Sequence, residues 1–143
     1  TGLVTRHTLA EARAQQAERI LLVDDNRPNQ LLVVRLLERR GYRVDVVAGG
    51  SEALVAIAQQ HYDLLFLDCF MPDLNGFETA RRIRSSEPPG GRIPIIALTA
   101  NVLPEDRQKC LDVGMDDCLA KPITREDLFA ALARWLPIPQ GSL

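Results

Sequence analysis

No apolar run in this sequence approaches the roughly 20 residues that span a bilayer, and its first residues do not form the charged-then-apolar pattern of a signal peptide. The expectation is a cytoplasmic segment without membrane contact, whatever anchor a parent polypeptide carries elsewhere. Cysteine is sparse. Cys69, Cys110 and Cys118 are an odd number, with no CxxC pair and no nearby histidine, which argues against both a disulfide framework and a zinc site. Basic runs are missing too: the net charge is −2 and charged residues make up 25% of the chain, so no direct binding of nucleic acid through its phosphates is expected. Repeats and low-complexity tracts are also absent.

What is present suits one globular core. The 143 residues, 46% of them hydrophobic, fill one ordinary domain and leave no room for a second catalytic one. A polar, Ala-rich stretch over residues 8–19 shows no core face and precedes the first strand-like segment. Residues 1–19 are therefore expected to be a linker from a longer chain, 20–137 the folded domain and 138–143 a C-terminal tail.

From Ile20 onward, short aliphatic runs alternate with amphipathic stretches, the pattern of an α/β domain whose doubly wound parallel sheet is covered by helices on both faces. Strands are predicted over 20–23, 43–47, 64–67, 95–98 and, more briefly, 117–120. Helices are predicted over 28–40, 51–60, 75–86, 103–113 and 124–136. In the last helix Leu128, Leu132, Trp135 and Leu136 share a face, and Thr124 with Asp127 has capping-box spacing. The helix after Leu103 has Pro104, Glu105 and Asp106 suited to a first turn but a thin apolar stripe, which predicts a mobile element. Gly41 and Gly114 are placed to end helices in a left-handed conformation.

In such a sheet, ligands collect at the carboxyl ends of the strands. Those ends carry Asp24 and Asp25, then Asp68, then Thr99, and finally Lys121. Carboxylates about 4 Å apart repel by about 4 kcal/mol at an effective dielectric of about 20, so the three acids in one cleft need a cation. Hard oxygen donors with room for water suit Mg²⁺. A carboxylate beside the metal can then attack phosphorus, with Lys121 and the Thr99 hydroxyl available for the equatorial oxygens.

The segments LLVDDNRPNQ, LLFLDCFMPDLNGFE, IIALTAN and GMDDCLAKPI, in this order and spacing, resemble the successive signatures of response-regulator receiver domains, over residues 20–136. That resemblance implies a flavodoxin-like fold of five strands in the order 2-1-3-4-5. It also implies that Asp68 is the phosphorylated residue and that Asp25 and Asp68 are direct Mg²⁺ ligands. The Phe70 carbonyl would be the third protein ligand, with Asp24 acting through water. Thr99 would follow the phosphoryl group, Lys121 would supply the cation and Pro122 would follow a cis bond. Met71, Pro72 and the Gly76 turn would shape the rim. DDNRPNQ and LTANVLPEDRQKCLDVGMDDCLAKPI are most similar to receivers attached to hybrid sensor histidine kinases. The implied partners are a histidine kinase domain, a histidine phosphotransfer domain, or both; a weak dimer is compatible with the family.

Cys118 departs from the pattern, because receivers commonly place an aromatic switch residue there; it is also the one thiol worth testing for reactivity. The resemblance places control of water access at Phe70 and Asn101, and a bulky Phe70 predicts slow self-dephosphorylation. Plainer readings exist for each residue: Asp24 and Asp25 as a helix cap, Asp68 and Thr99 as turn and strand-end residues, Lys121 as a solvated charge. Arg81, Arg82 and Arg84 read as a wet helix face, His7 as linker and His61 as a cation at a helix end. Val33, Leu37 and Ile57 read as core, with Cys69 and Cys110 as small hydrophobes. Two rival functions stay open. A haloacid-dehalogenase-type phosphatase also uses an aspartate nucleophile with Mg²⁺, but its second acid would stand where Phe70 is. A receiver-like module working without phosphate is the other.

Overall fold

The computed structural model describes residues 18–71, 74–100 and 103–136. Most of the expected linker, the whole expected tail, His7, Pro72 and Asn101 lie outside the described residues. Among these residues five strands alternate with five helices. They are β1 (Arg19–Val23), α1 (Arg27–Arg39), β2 (Arg43–Val47), α2 (Gly50–Gln59), β3 (Leu64–Asp68), α3 (Gly76–Ser86), β4 (Ile95–Thr99), α4 (Pro104–Asp112), β5 (Asp117–Ala120) and α5 (Arg125–Trp135). The sheet runs β2-β1-β3-β4-β5 and every pairing is parallel, as expected.

The burial of each strand follows from its sequence. LLFLD and IIALT are buried at every position, because a central parallel strand is covered on both faces. Edge strand β2, RVDVV, has no fully buried residue. Alternate side chains go to opposite faces. Leu21, Leu65, Leu67 and Ile95 pack with Ala53 of α2, Ile83 of α3 and Cys110 of α4. Ile20, Phe66, Ile96 and Leu98 pack with Val33 and Leu37 of α1 and Leu128 and Leu132 of α5.

Side-chain caps set three of the helix starts. Asn26 accepts from the Asn29 main-chain N–H at 3.0 Å, Asn75 from Glu78 at 2.9 Å and Thr124 from Asp127 at 3.1 Å. Helix α4 has no such cap bond and buries only Cys110. Gly41 and Gly114 take φ of 89° and 99°, the left-handed helix ends their positions required.

Arg84 corrects the sequence reading. Arg81 and Arg82 are exposed, but the Arg84 side chain is 14% exposed. Its Nε donates to the Gly114 carbonyl at 2.8 Å, Nη1 to Glu87 at 2.8 Å and the Ile93 carbonyl at 2.7 Å, and Nη2 to Asp116 at 2.8 Å. Helical spacing places residue 84 beside the buried Ala80 and Ile83, so its guanidinium emerges where β4 and β5 begin. The carbonyls of Ile93 and Gly114 and the carboxylates of Glu87 and Asp116 converge there, and the guanidinium supplies donors and positive charge to all four.

Candidate functional site

All four predicted strand tips meet at one edge of the sheet. Asp24, directly after β1, is completely buried; its main-chain N–H donates to the Val47 carbonyl at 3.1 Å. Its Oδ1 accepts from the Asn26 N–H at 2.9 Å and its Oδ2 from Asn29 Nδ2 at 3.4 Å. Burial pushes the Asp24 carboxyl above its usual range, with the Asp68 charge adding to it, while the Asn26 hydrogen bond and the Lys121 ammonium pull the other way. Asp25 is exposed and makes no hydrogen bond or ion pair among the described residues.

Asp68 closes β3 and is 3% exposed. Its Oδ1 accepts from the Phe70 N–H at 3.1 Å and its Oδ2 from Lys121 Nζ at 2.9 Å. The same ammonium stands 3.6 Å from Asp24 Oδ2. Burial would lower the Lys121 pKa, but the Asp68 hydrogen bond and the two carboxylate charges outweigh it and leave it raised. Thr99 is buried at the tip of β4, one residue beyond the Leu98 that pairs with Asp68, and its carbonyl accepts from the Lys121 N–H at 2.9 Å. The Lys121–Pro122 bond is cis, as the resemblance implied.

Gly76 brings α3 against this site. A Cβ there would collide with the Asp68 carbonyl and lie 2.8 Å from Cys69 Cα, and the Gly76 N–H donates to the Cys69 carbonyl at 3.0 Å. Only glycine lets the helix begin so close to β3.

One oxygen each from Asp24, Asp25 and Asp68 can lie within 4.8 Å of one another. Ionised, these carboxylates outnumber the Lys121 ammonium three to one. Hard oxygen donors with uncompensated negative charge fit a divalent cation such as Mg²⁺.

A cavity of about 510 Å³ between α2 and the end of α3 lies at the opposite edge of the sheet. Its polar rim is self-satisfied, with His61 on Asp63, Tyr62 on Asp45, Glu87 on Arg84 and Arg92 on Asp116, so it offers nothing comparable.

Sequence reasoning missed the supports of Asp24. Asn29 Nδ2 reaches its carboxylate and Gln30 Nε2 its carbonyl, at 2.6 Å. Their positions in the first turn of a helix that starts beside the acid were the available signal. Cys69 and Cys110 are buried as expected, and burial raises both thiols. Cys118 is half-buried; burial and the neighbouring Asp117 raise its thiol against the pull of Arg107, which disfavours the reactive thiolate.

Fold and site together define a doubly wound α/β domain with an acidic, lysine-paired cluster at the carboxyl edge of its sheet. The family model described as the response regulator receiver domain matches residues 20–133, and the chain belongs to that family. It is a receiver domain of two-component and phosphorelay signalling, homologous to those of hybrid histidine kinases. It is 42% identical over 132 residues to the hybrid signal transduction histidine kinase L of Dictyostelium discoideum, covering 86% of this chain and 8% of that protein. The chain thus spans a small part of the curated relatives it matches. The receiver domain of sensor histidine kinase PA1611 from Pseudomonas aeruginosa PAO1, solved with a magnesium ion coordinated in its active-site cleft, is 47% identical. The likeness covers 83% of this chain and 97% of that one, with a TM-score of 0.75. The receiver domain of Ssk1 from Saccharomyces cerevisiae, solved with the histidine phosphotransfer protein Ypd1, is 28% identical over 83% of this chain and 88% of that one, with a TM-score of 0.78. Among the described residues no helix is long and apolar enough to cross a membrane.

Proposed function

We propose that Asp68 accepts a phosphoryl group from a phosphohistidine, with Mg²⁺ bound beside it, in the receiver part of a hybrid histidine kinase. The observation that carries this is the Lys121 ammonium 2.9 Å from the Asp68 carboxylate, beside Asp24 and Asp25. In the transfer an Asp68 oxygen bonds to phosphorus as the phosphorus–nitrogen bond to imidazole breaks, and the electron pair stays on the ring nitrogen. Lys121, held by its main-chain bond to Thr99, offers positive charge to the incoming oxygens, and the Thr99 hydroxyl offers them a hydrogen bond. Asp24, Asp25, Asp68 and the Phe70 carbonyl would hold the ion, which when bound supplies charge neutralisation. Asn26, Asn29 and Gln30 fix Asp24 in place for that task.

The partners in this reading are a histidine kinase domain, a histidine phosphotransfer domain, or both, and the chain is not a stand-alone enzyme. The haloacid-dehalogenase reading needs an acid at residue 70; Phe70 instead lends only its N–H to Asp68. The test is intact mass spectrometry after incubation with acetyl phosphate and Mg²⁺, and after mixing with a phosphorylated histidine domain. One added phosphoryl group, lost in EDTA and in Asp68→Asn, is expected. No uptake from either donor would favour the phosphate-independent module.

A further inference from the structure

Phe70 is 62% exposed, and its main-chain N–H bonds to the Asp68 carboxylate. Its aromatic neighbour is Phe77 in the first turn of α3, with ring centroids 6.0 Å apart and planes at 79°, the favoured edge-to-face arrangement. Phe77 is half-buried against the core, so its backbone is a fixed post. Lys109 of α4 places its ammonium 5.0 Å from the Phe77 centroid. Helix α4 buries only Cys110, the next residue, while Arg84 holds the Gly114 turn at its far end. Lys109 is therefore a second tie between α4 and α3.

We infer that Phe77 and Lys109 are positioning residues for Phe70, and that through it they set the lifetime of the aspartyl phosphate, an inference that rests on phosphorylation of Asp68. Hydrolysis needs a water opposite the bond from phosphorus to the Asp68 oxygen. The water oxygen bonds to phosphorus, the Asp68 carboxylate leaves with its electron pair, and the water gives up a proton to solvent. A Phe70 ring held beside Phe77, two residues after Asp68, would obstruct that water. The Lys109 ammonium holds the Phe77 ring against which the Phe70 edge rests, so its loss lets both rings turn and frees Phe70 to swing aside. A partner that draws α4 outward would have the same effect, linking occupancy of α4 to the reset of the domain.

The experiment follows phosphoryl loss by intact mass spectrometry in the full 143-residue chain, loaded with acetyl phosphate and Mg²⁺ and then desalted. Lys109→Met is expected to shorten the half-life roughly two- to fivefold, the range of an exposed cation–π contact. Lys109→Arg, which keeps the charge over the ring, restores the wild-type decay. In a Phe70→Ala background Lys109→Met has no further effect, which separates positioning from general loosening. Phosphorylated wild type whose decay is unaltered by Lys109→Met, or the same shortening in the Phe70→Ala background, overturns this inference alone. A wild-type chain that takes up no phosphoryl group overturns the reading of Asp68 and this inference with it.

Discussion

Replacing Lys121 with methionine keeps most of the stem and removes the cation that, among the described residues, pairs with the buried carboxylates of Asp24 and Asp68. At 2.9 Å and 3.6 Å the lost attractions are worth ~6 and ~5 kcal/mol at an effective dielectric of ~20. Two effects reduce that. Burial of the ammonium opposes its charge and is the largest single influence on its titration. Asp24, already held above its usual range by burial, can take up a proton once its counter-charge is gone. A net loss of about 3 kcal/mol follows, close to the cost of breaking a buried ion pair. For a domain of this size that lowers Tm by ~10 °C. Thermal and urea unfolding, followed by circular dichroism, would measure it. The loss should be largest in EDTA at mildly alkaline pH. It should shrink in MgCl₂, where the metal replaces the missing charge, and in mild acid, where protonated Asp24 needs no partner. The reasoning fails if Lys121→Met matches wild type in EDTA, or if Mg²⁺ leaves the difference unchanged.

Arg84→Met should cost about 3 kcal/mol in urea unfolding, since Glu87 and Asp116 lose their shared guanidinium, although Asp116 keeps Arg92 at 2.6 Å; a change under about 0.5 kcal/mol would show the hub to be passive. Tyr62 is pushed from 10.0 up to about 12 by burial and by its hydrogen bond to Asp45. The folded state therefore holds the phenolic proton more tightly than the unfolded chain does. That stability is complete below pH 10.0 and is lost as pH rises toward about 12. Wild type should lose up to ~3 kcal/mol more than Tyr62→Phe across this window, and parallel pH profiles would contradict the assignment. Phe70→Ala should shorten the phosphoryl lifetime, and a decay equal to wild type would remove Phe70 as a water barrier.

Most of the fold was legible because its signals are local. The continuous apolar runs of β3 and β4 state that both faces are covered, and Asn75, Thr124, Gly41 and Gly114 mark helix ends through bonds and dihedral angles confined to a few residues. The cluster at the carboxyl edge was legible for a related reason: each of its residues lies at the end of a strand, and a parallel sheet aligns all its carboxyl ends on one edge. Arg84 was not legible. Its spacing matches that of its solvated neighbours Arg81 and Arg82, and only the arrival of Ile93, Gly114 and Asp116 from other segments turns it into a buried hub.

The sequence by itself therefore determined the element order, the two-faced core and the gathering of Asp24, Asp25, Asp68, Thr99 and Lys121 at the carboxyl ends of the strands, since hydrophobic period and strand-end position are properties of neighbouring residues. The tertiary structure alone decided which Asp68 oxygen meets Lys121, how Asn29 and Gln30 brace Asp24, and that Lys109 reaches Phe77. Lys121 and Lys109 reach partners far away along the chain, which no short window of sequence contains, while Asn29 and Gln30 lie within six residues of Asp24 but point to it only because packing settles their directions.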